Sequence, residues 1–198
     1  MKIVGISCSP RKGKSTFYAL ETCLQAAKEA VPGIETTLIE LSETKMNGCV
    51  ACGKCVKVLE CSQEDDFPKM IPVLSDPELA GLVVATPVYL GSMTSQCKAF
   101  LDRCVMFRRN GFLLRDKVGG VIAVGGVRNG GQELTIQAVQ AAMLVQDMVV
   151  VSEGRPTSHY GATLWSGHPD GIEKDAFGLE TARNLGKRVA EVAARMHR

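Results

Sequence analysis

The sequence predicts an α/β fold in which short apolar strands form a parallel sheet and amphipathic helices cover it. Three observations carry this. Short apolar runs alternate with helical patterns along the chain. The run Gly81-Leu-Val-Val-Ala85 is apolar throughout, as suits the centre of a parallel sheet. Polar or glycine-rich loops follow three of the strands, on the edge where a cofactor crevice forms. A chain of 198 residues with 45% hydrophobic content can bury one substantial core, so one domain over 1–198 is expected.

Lys2 to Ser7 reads as a buried first strand. The loop Ser7-Cys-Ser9-Pro-Arg11-Lys-Gly-Lys14-Ser15-Thr16 leads into a helix with Phe17, Leu20, Leu24, Ala27 and Val31 on one face and Cys23 beside it. Free amides and the helix dipole make such a loop an anion site. It lacks the three glycines of a dinucleotide fingerprint, and Cys8 stands where a Walker A loop needs glycine. Ser9, Arg11, Ser15 and Thr16 suit instead a terminal phosphate monoester, as in a mononucleotide such as FMN. An ordinary polar loop with a helix cap is the competing reading.

Glu35 to Leu41 is the second strand, after which the chain enters a cysteine-rich segment, 45–66. Half of the eight cysteines lie there, in Cys49-Val-Ala-Cys52-Gly-Lys-Cys55 and Cys61. Three thiolates at this spacing converge from one turn and a fourth closes the site, the ligand pattern of one [4Fe-4S] cluster. Zinc and disulfides or free thiols compete. Zinc more often draws on separated Cys-x2-Cys pairs, and disulfide frameworks belong to short secreted chains.

Asp65 or Asp66 caps a short helix through Met70 to Leu74. Gly81 to Ala85 is the third strand. The loop after it, Thr86-Pro87-Val88-Tyr89-Leu-Gly91-Ser-Met-Thr94, suits a flat ring ligand: Tyr89 can pack near it and Gly91 permits backbone approach. The next helix puts Met93, Cys97, Phe100, Leu101 and Cys104 on one face, which makes both cysteines core residues. Lys117 to Val124 is the fourth strand, and Gly125-Gly126-Val-Arg128-Asn-Gly130-Gly131 opens a helix to Gln146. Met148 to Val151 is a short fifth strand, and Lys174 to Met196 is the closing helix. Between them Gly154 to Gly171 reads as a loop. The stretch 152–173 is expected at an oligomer contact, with Tyr160 and Trp165 at a subunit interface or flavin edge and His159 structural or solvated.

The net charge of +2 excludes little, and no nucleic-acid signature is present. Arg103, Arg108, Arg109, Arg115 and Lys117 form a basic stretch that reads as solvated surface, or less often as a dock for an acidic protein. The N-terminus lacks the apolar core of a signal peptide and no run is long enough to span a bilayer, so a cytoplasmic protein without membrane contact is expected.

Ser7-Cys-Ser9-Pro-Arg11, Thr86-Pro-Val-Tyr89-Leu-Gly91, Lys98-Ala-Phe100-Leu-Asp102-Arg103 and Gly125-Gly126 through Gly131 together resemble the NAD(P)H-dependent FMN reductase family. With four cysteines inserted after the second strand, the chain is similar to the iron-sulfur flavoprotein branch. The resemblance implies a flavodoxin-like, doubly wound, five-stranded parallel sheet of order 2-1-3-4-5, with a cluster-binding insertion after strand 2. It implies FMN and one [4Fe-4S] cluster, the latter on Cys49, Cys52, Cys55 and Cys61. Phosphate contacts are implied at Ser9, Arg11, Ser15 and Thr16, and ring contacts at Pro87, Val88, Tyr89 and Gly91, with Gly125 and Gly126 on the same cofactor edge.

It further implies electron transfer from a one-electron donor such as ferredoxin, through cluster and FMN, to a small acceptor such as oxygen, peroxide or a quinone. No catalytic residue is assigned. A homodimer or homotetramer is implied, in which the cluster of one subunit can serve the FMN of another. The alternative is a NAD(P)H-dependent FMN or quinone reductase with structural zinc, and a third reading is a flavin-bound scaffold without turnover. The cysteine segment is expected at the edge where FMN binds, as an electron port.

Overall fold

A computed structural model describes residues 1–196, so the last two residues of the expected domain, His197 and Arg198, lie outside the described residues. The elements run β1 (Lys2–Ser7), α1 (Ser15–Ala30), β2 (Glu35–Glu40), α2 (Ile71–Leu74), β3 (Leu79–Pro87), α3 (Ser95–Arg103), α4 (Val105–Arg109), β4 (Val118–Gly125), α5 (Gln132–Val145), β5 (Val149–Val150), β6 (Ala162–Trp165) and α6 (Ala176–Met196).

The strands pair in parallel in the expected order, β2-β1-β3-β4-β5. Residues alternate between the faces, as a pleated strand requires. Ile3 and Val83 pack with Leu20, Leu185 and Val189 of α1 and α6, whereas Val4, Leu82 and Val84 pack with Phe100, Phe107 and Val139 on the other side. Both faces are covered, so β3 and β4 are buried along their whole length. The chain leaves β1 toward β2 on one side and β3 on the other, which opens a crevice at the strands' carboxyl ends.

Two features depart from expectation. The fifth position of the sheet is shared by two short strands: β5 pairs with Val118 and Gly119, and β6 with Ile122 through Gly125. The stretch read as a loop therefore contains a sixth strand, whose Ala162 and Leu164 are buried in the same core as Leu179 and Ala182 of α6. Four residues within a polar stretch carry too little pattern to stand out.

The second departure concerns the cysteine segment. Instead of staying at the crevice edge, it runs down the outside of α3. It leaves the edge with Leu41, whose carbonyl accepts from Gln96 Nε2 in the first turn of α3, and reaches Arg103 in the last turn and Arg109 in α4. That far end lies by the opposite edge of the sheet, where Gln146 Nε2 donates to Cys104 O (3.0 Å) and Arg108 Nη1 to Val145 O (2.8 Å), just before β5 begins. The nine residues of α3, at a 1.5 Å rise each, separate the two ends by about 13 Å. No helix among the described residues is long and apolar enough to cross a membrane.

Candidate functional site

The four cysteines of the segment line one small concavity, walled on the protein side by Arg103, Met106 and Arg109. Cys49 and Cys52 are exposed, Cys55 and Cys61 partly buried. A single 3-10 turn at Lys54–Val56, entered through Gly53 at φ +82°, carries Cys55 between its neighbours. Cys52 Sγ lies 2.9 Å from Ser62 Oγ, and this hydrogen bond, followed by one from the Lys54 amide, lowers the Cys52 thiol below its ordinary pKa.

Two arginines point at the other pair. Arg103 Nη2 donates to Cys61 Sγ at 3.1 Å, and Arg109 Nη1 donates to Cys55 Sγ at 3.3 Å. Asn110 Nδ2 holds the Cys55 carbonyl at 2.9 Å. Arg103 belongs to a basic stretch expected at the solvated surface, but its side chain is buried in an ion pair with the equally buried Asp65 side chain. Burial alone would raise the Asp65 carboxyl; hydrogen bonds from Arg103, Asn47 N and Phe67 N outweigh it and hold the carboxyl below its usual range. Asp65 Oδ1 accepts from Phe67 N at 3.1 Å, at the start of a 3-10 turn (Phe67–Met70) that precedes α2; α2 itself starts after Met70 without a side-chain cap, so neither Asp65 nor Asp66 caps it.

This donor set fits an iron-sulfur cluster. All four donors are soft sulfurs standing around a cavity, and two guanidiniums offset their negative charge. Among the described residues, no three metal-ligating groups close on one single-ion position.

The crevice edge gathers the other candidates. β1 ends at Ser7, opposite Ala85 and before the end of β3 at Pro87, and Cys8 N donates to Ala85 O at 2.8 Å. Thr94 caps α3 by accepting from Cys97 N (3.1 Å) while its hydroxyl donates to Cys8 O (2.9 Å), so one residue joins the first and third loops. α1 starts without a side-chain cap, beside exposed Arg11, half-buried Ser15 and buried Thr16. Ser9 is buried, and its hydroxyl closes the loop on Arg11, accepting from the amide (3.1 Å) and donating to the carbonyl (3.2 Å). Glu40 Oε1 accepts from Gly13 N at 2.8 Å.

In the third-strand loop Pro87 is buried and Val88 half-buried, and Tyr89 and Ser92 exchange backbone hydrogen bonds across a tight turn that leaves Tyr89 exposed. Gly91 (φ +75°) and Gly131 (φ +93°) meet there: a Cβ on Gly131 would lie 3.2 Å from Gly91 Cα. Gly125 is buried at the end of β4, and Gly126, exposed, has open space where a side chain would stand. The edge fits a phosphorylated flavin: the α1 amides lack a cap, the buried Ser7 hydroxyl at the strand end has no partner, and the ring loops keep open space above Gly126.

Two polar pairs stand beside these loops. His159 Nδ1 contacts Glu153 Oε1 at 2.6 Å, with Glu153 wholly buried, so of the two expected roles, structural or solvated, His159 has the structural one. Arg128, in the glycine loop, pairs with buried Asp175. Trp165 belongs to β6, and its Nε1 donates to Gly126 O at 3.0 Å, bracing the cofactor edge from the side of the sixth strand.

Comparison with known proteins bears on the family and the fold. The family model described as NADPH-dependent FMN reductase matches residues 1–163. An iron-sulfur flavoprotein of Methanocaldococcus jannaschii is 42% identical over 192 residues, covering 97% of each chain. An iron-sulfur flavoprotein of Methanosarcina thermophila is 38% identical over 97% of this chain and 95% of its own. Among solved structures, a flavone reductase superposes with a TM-score of 0.74 at 21% identity, over 100% of this chain and 64% of that one. A flavodoxin-like WrbA relative from Agrobacterium tumefaciens gives 0.67 at 20% identity, over 98% and 97%. At those identities the structural likeness concerns the fold.

Proposed function

We propose, from the premise that this chain belongs to the NADPH-dependent FMN reductase family in its iron-sulfur flavoprotein branch, a specific route for its electrons. The protein is an FMN-dependent, flavin-based electron-transfer oxidoreductase. Electrons enter from a one-electron donor such as ferredoxin at a [4Fe-4S] cluster on Cys49, Cys52, Cys55 and Cys61, reach FMN, and leave to a small acceptor such as oxygen, peroxide or a quinone. When bound, FMN exchanges electrons singly or in pairs and the cluster one at a time, which connects one-electron carriers to two-electron chemistry.

The observation that supports this most is the convergence of all four cysteines on one cavity with a guanidinium on two of them. The exposed thiols of Cys49 and Cys52 form the side open to a donor. At the crevice, the α1 amides with Ser15, Thr16 and Arg11 hold the phosphate, and Ser9 shapes that loop. Pro87, Val88, Tyr89 and Gly91 form one wall for the ring and Gly125 and Gly126 the other. The separation of cavity and crevice by α3 supports a homodimer or homotetramer in which one subunit's cluster is paired with another subunit's FMN.

A second reading has one observation in its favour, the NADPH of the family description: NADPH reduces FMN directly and the cysteines hold zinc. Anaerobic mixing decides between them. Reduced ferredoxin is expected to bleach the flavin absorbance faster than NADPH does; rapid bleaching by NADPH alone, in iron-free protein, would overturn the proposal.

A further inference from the structure

Arg103 meets three parts of the cysteine segment at once. Nη1 donates to Asn47 O (2.9 Å) and Asp65 Oδ2 (2.7 Å), and Nη2 donates to Asp65 Oδ1 (3.0 Å) and Cys61 Sγ (3.1 Å). Asp65 Oδ2 accepts in turn from Asn47 N at 2.9 Å, and the Phe67 ring lies 4.5 Å from the guanidinium carbon. Entry, exit and last thiol of the segment are thus bound to one side chain at the end of α3. Arg109 touches Cys55 from the solvent side and, among the described residues, is ion-paired with no carboxylate.

These contacts differ in kind. A bidentate ion pair that is fully buried is screened little by salt and fixes its donor, whereas an exposed guanidinium is screened and mobile. An N–H donated to a ligand sulfur draws negative charge from it and favours the state that carries one more electron.

Resting on the reading that the four cysteines hold a [4Fe-4S] cluster, we infer that Arg103, clamped by Asp65, is the positioning residue of that site. It fixes Cys61 in place and, as a permanent buried donor to its sulfur, keeps the cluster's reduction potential higher than the thiolates alone would set it. Arg109 acts on Cys55 in the same direction, but weakly and only at low salt.

The test uses anaerobically purified holoprotein and three variants. Arg103→Lys keeps the charge and loses the fork; Arg103→Gln with Asp65→Asn removes both buried charges together; Arg109→Gln serves as the exposed comparison. The readouts are iron and sulfide per chain, the rate of iron release to a chelator, and the midpoint potential of the cluster by equilibrium titration at low and high salt. Arg103→Lys and the double variant are expected to show a more negative potential at both salt concentrations and iron release faster by on the order of tenfold. Arg109→Gln is expected to shift the potential less, and only at low salt. If either Arg103 variant is fully loaded with iron and matches the wild type in potential and release rate, the inference is wrong. Wild-type protein lacking iron and sulfide would instead overturn the reading on which it rests.

Discussion

Eight cysteines divide into two chemical groups by position alone. Burial pushes the Cys23 thiol up to about 12 and Cys104 upward as well, and Cys8 is raised first by burial and then by the neighbouring Cys97 thiol. Buried, protonated thiols are inert, while Cys49 and Cys52 stand in solvent. In folded, metal-free protein, alkylation read by mass spectrometry should label Cys49, Cys52, Cys55 and Cys61 and spare Cys8, Cys23, Cys97 and Cys104 until the chain is unfolded. Labelling of any buried member in the folded state would contradict the assignment. A second residue-scale prediction concerns Asp65. Its folded pKa is depressed, so the stability it contributes is complete above the ordinary carboxylate range and is lost as pH falls through that range, about 4, and then through the folded value. The gap in melting temperature between wild type and Asp65→Asn should therefore close below about pH 4; a constant gap would show that Asp65 is not ionised in the fold. That Cys49, Cys52, Cys55 and Cys61 stand around one concavity was readable because their spacing is local. Arg103 was not: a charge three residues after Phe100 on an apolar helix face was the available signal, but its partner Asp65 lies 38 residues back in the sequence.

At the scale of elements, loops and strand ends were easier to foresee than the path between them. The apolar run of β3 and the glycines after β4 predicted a crevice, and the carboxyl ends of β1, β3 and β4 lie side by side there. The split of the fifth strand and the descent of the cysteine segment along α3 depend on contacts with α6, α4 and α5, which periodicity does not encode. Thr94 is the residue that couples elements at the crevice, as cap of α3 and donor to Cys8 O. Thr94→Ala should cost about 1–2 kcal/mol in chemical denaturation, and it should weaken FMN binding because the first and third loops are no longer joined. An unchanged unfolding midpoint would show that the cap carries no weight.

For the whole molecule, the sheet order was legible through the family resemblance carried by motifs at strand ends, each short and local. The relation of the two candidate cofactor sites was not, since it is fixed by the length of α3 and by where segment 45–66 docks. With the cysteine cavity at one end of α3 and the proposed flavin crevice at the other, an oligomer is the proposed working unit. The proposal turns on what the four cysteines hold. The most direct measurement is elemental and cofactor analysis of protein purified without air. The account predicts about four iron, about four acid-labile sulfide and about one FMN per chain, with iron falling sharply in Cys61→Ala. Stoichiometric zinc without sulfide, or full iron in Cys61→Ala, would contradict it.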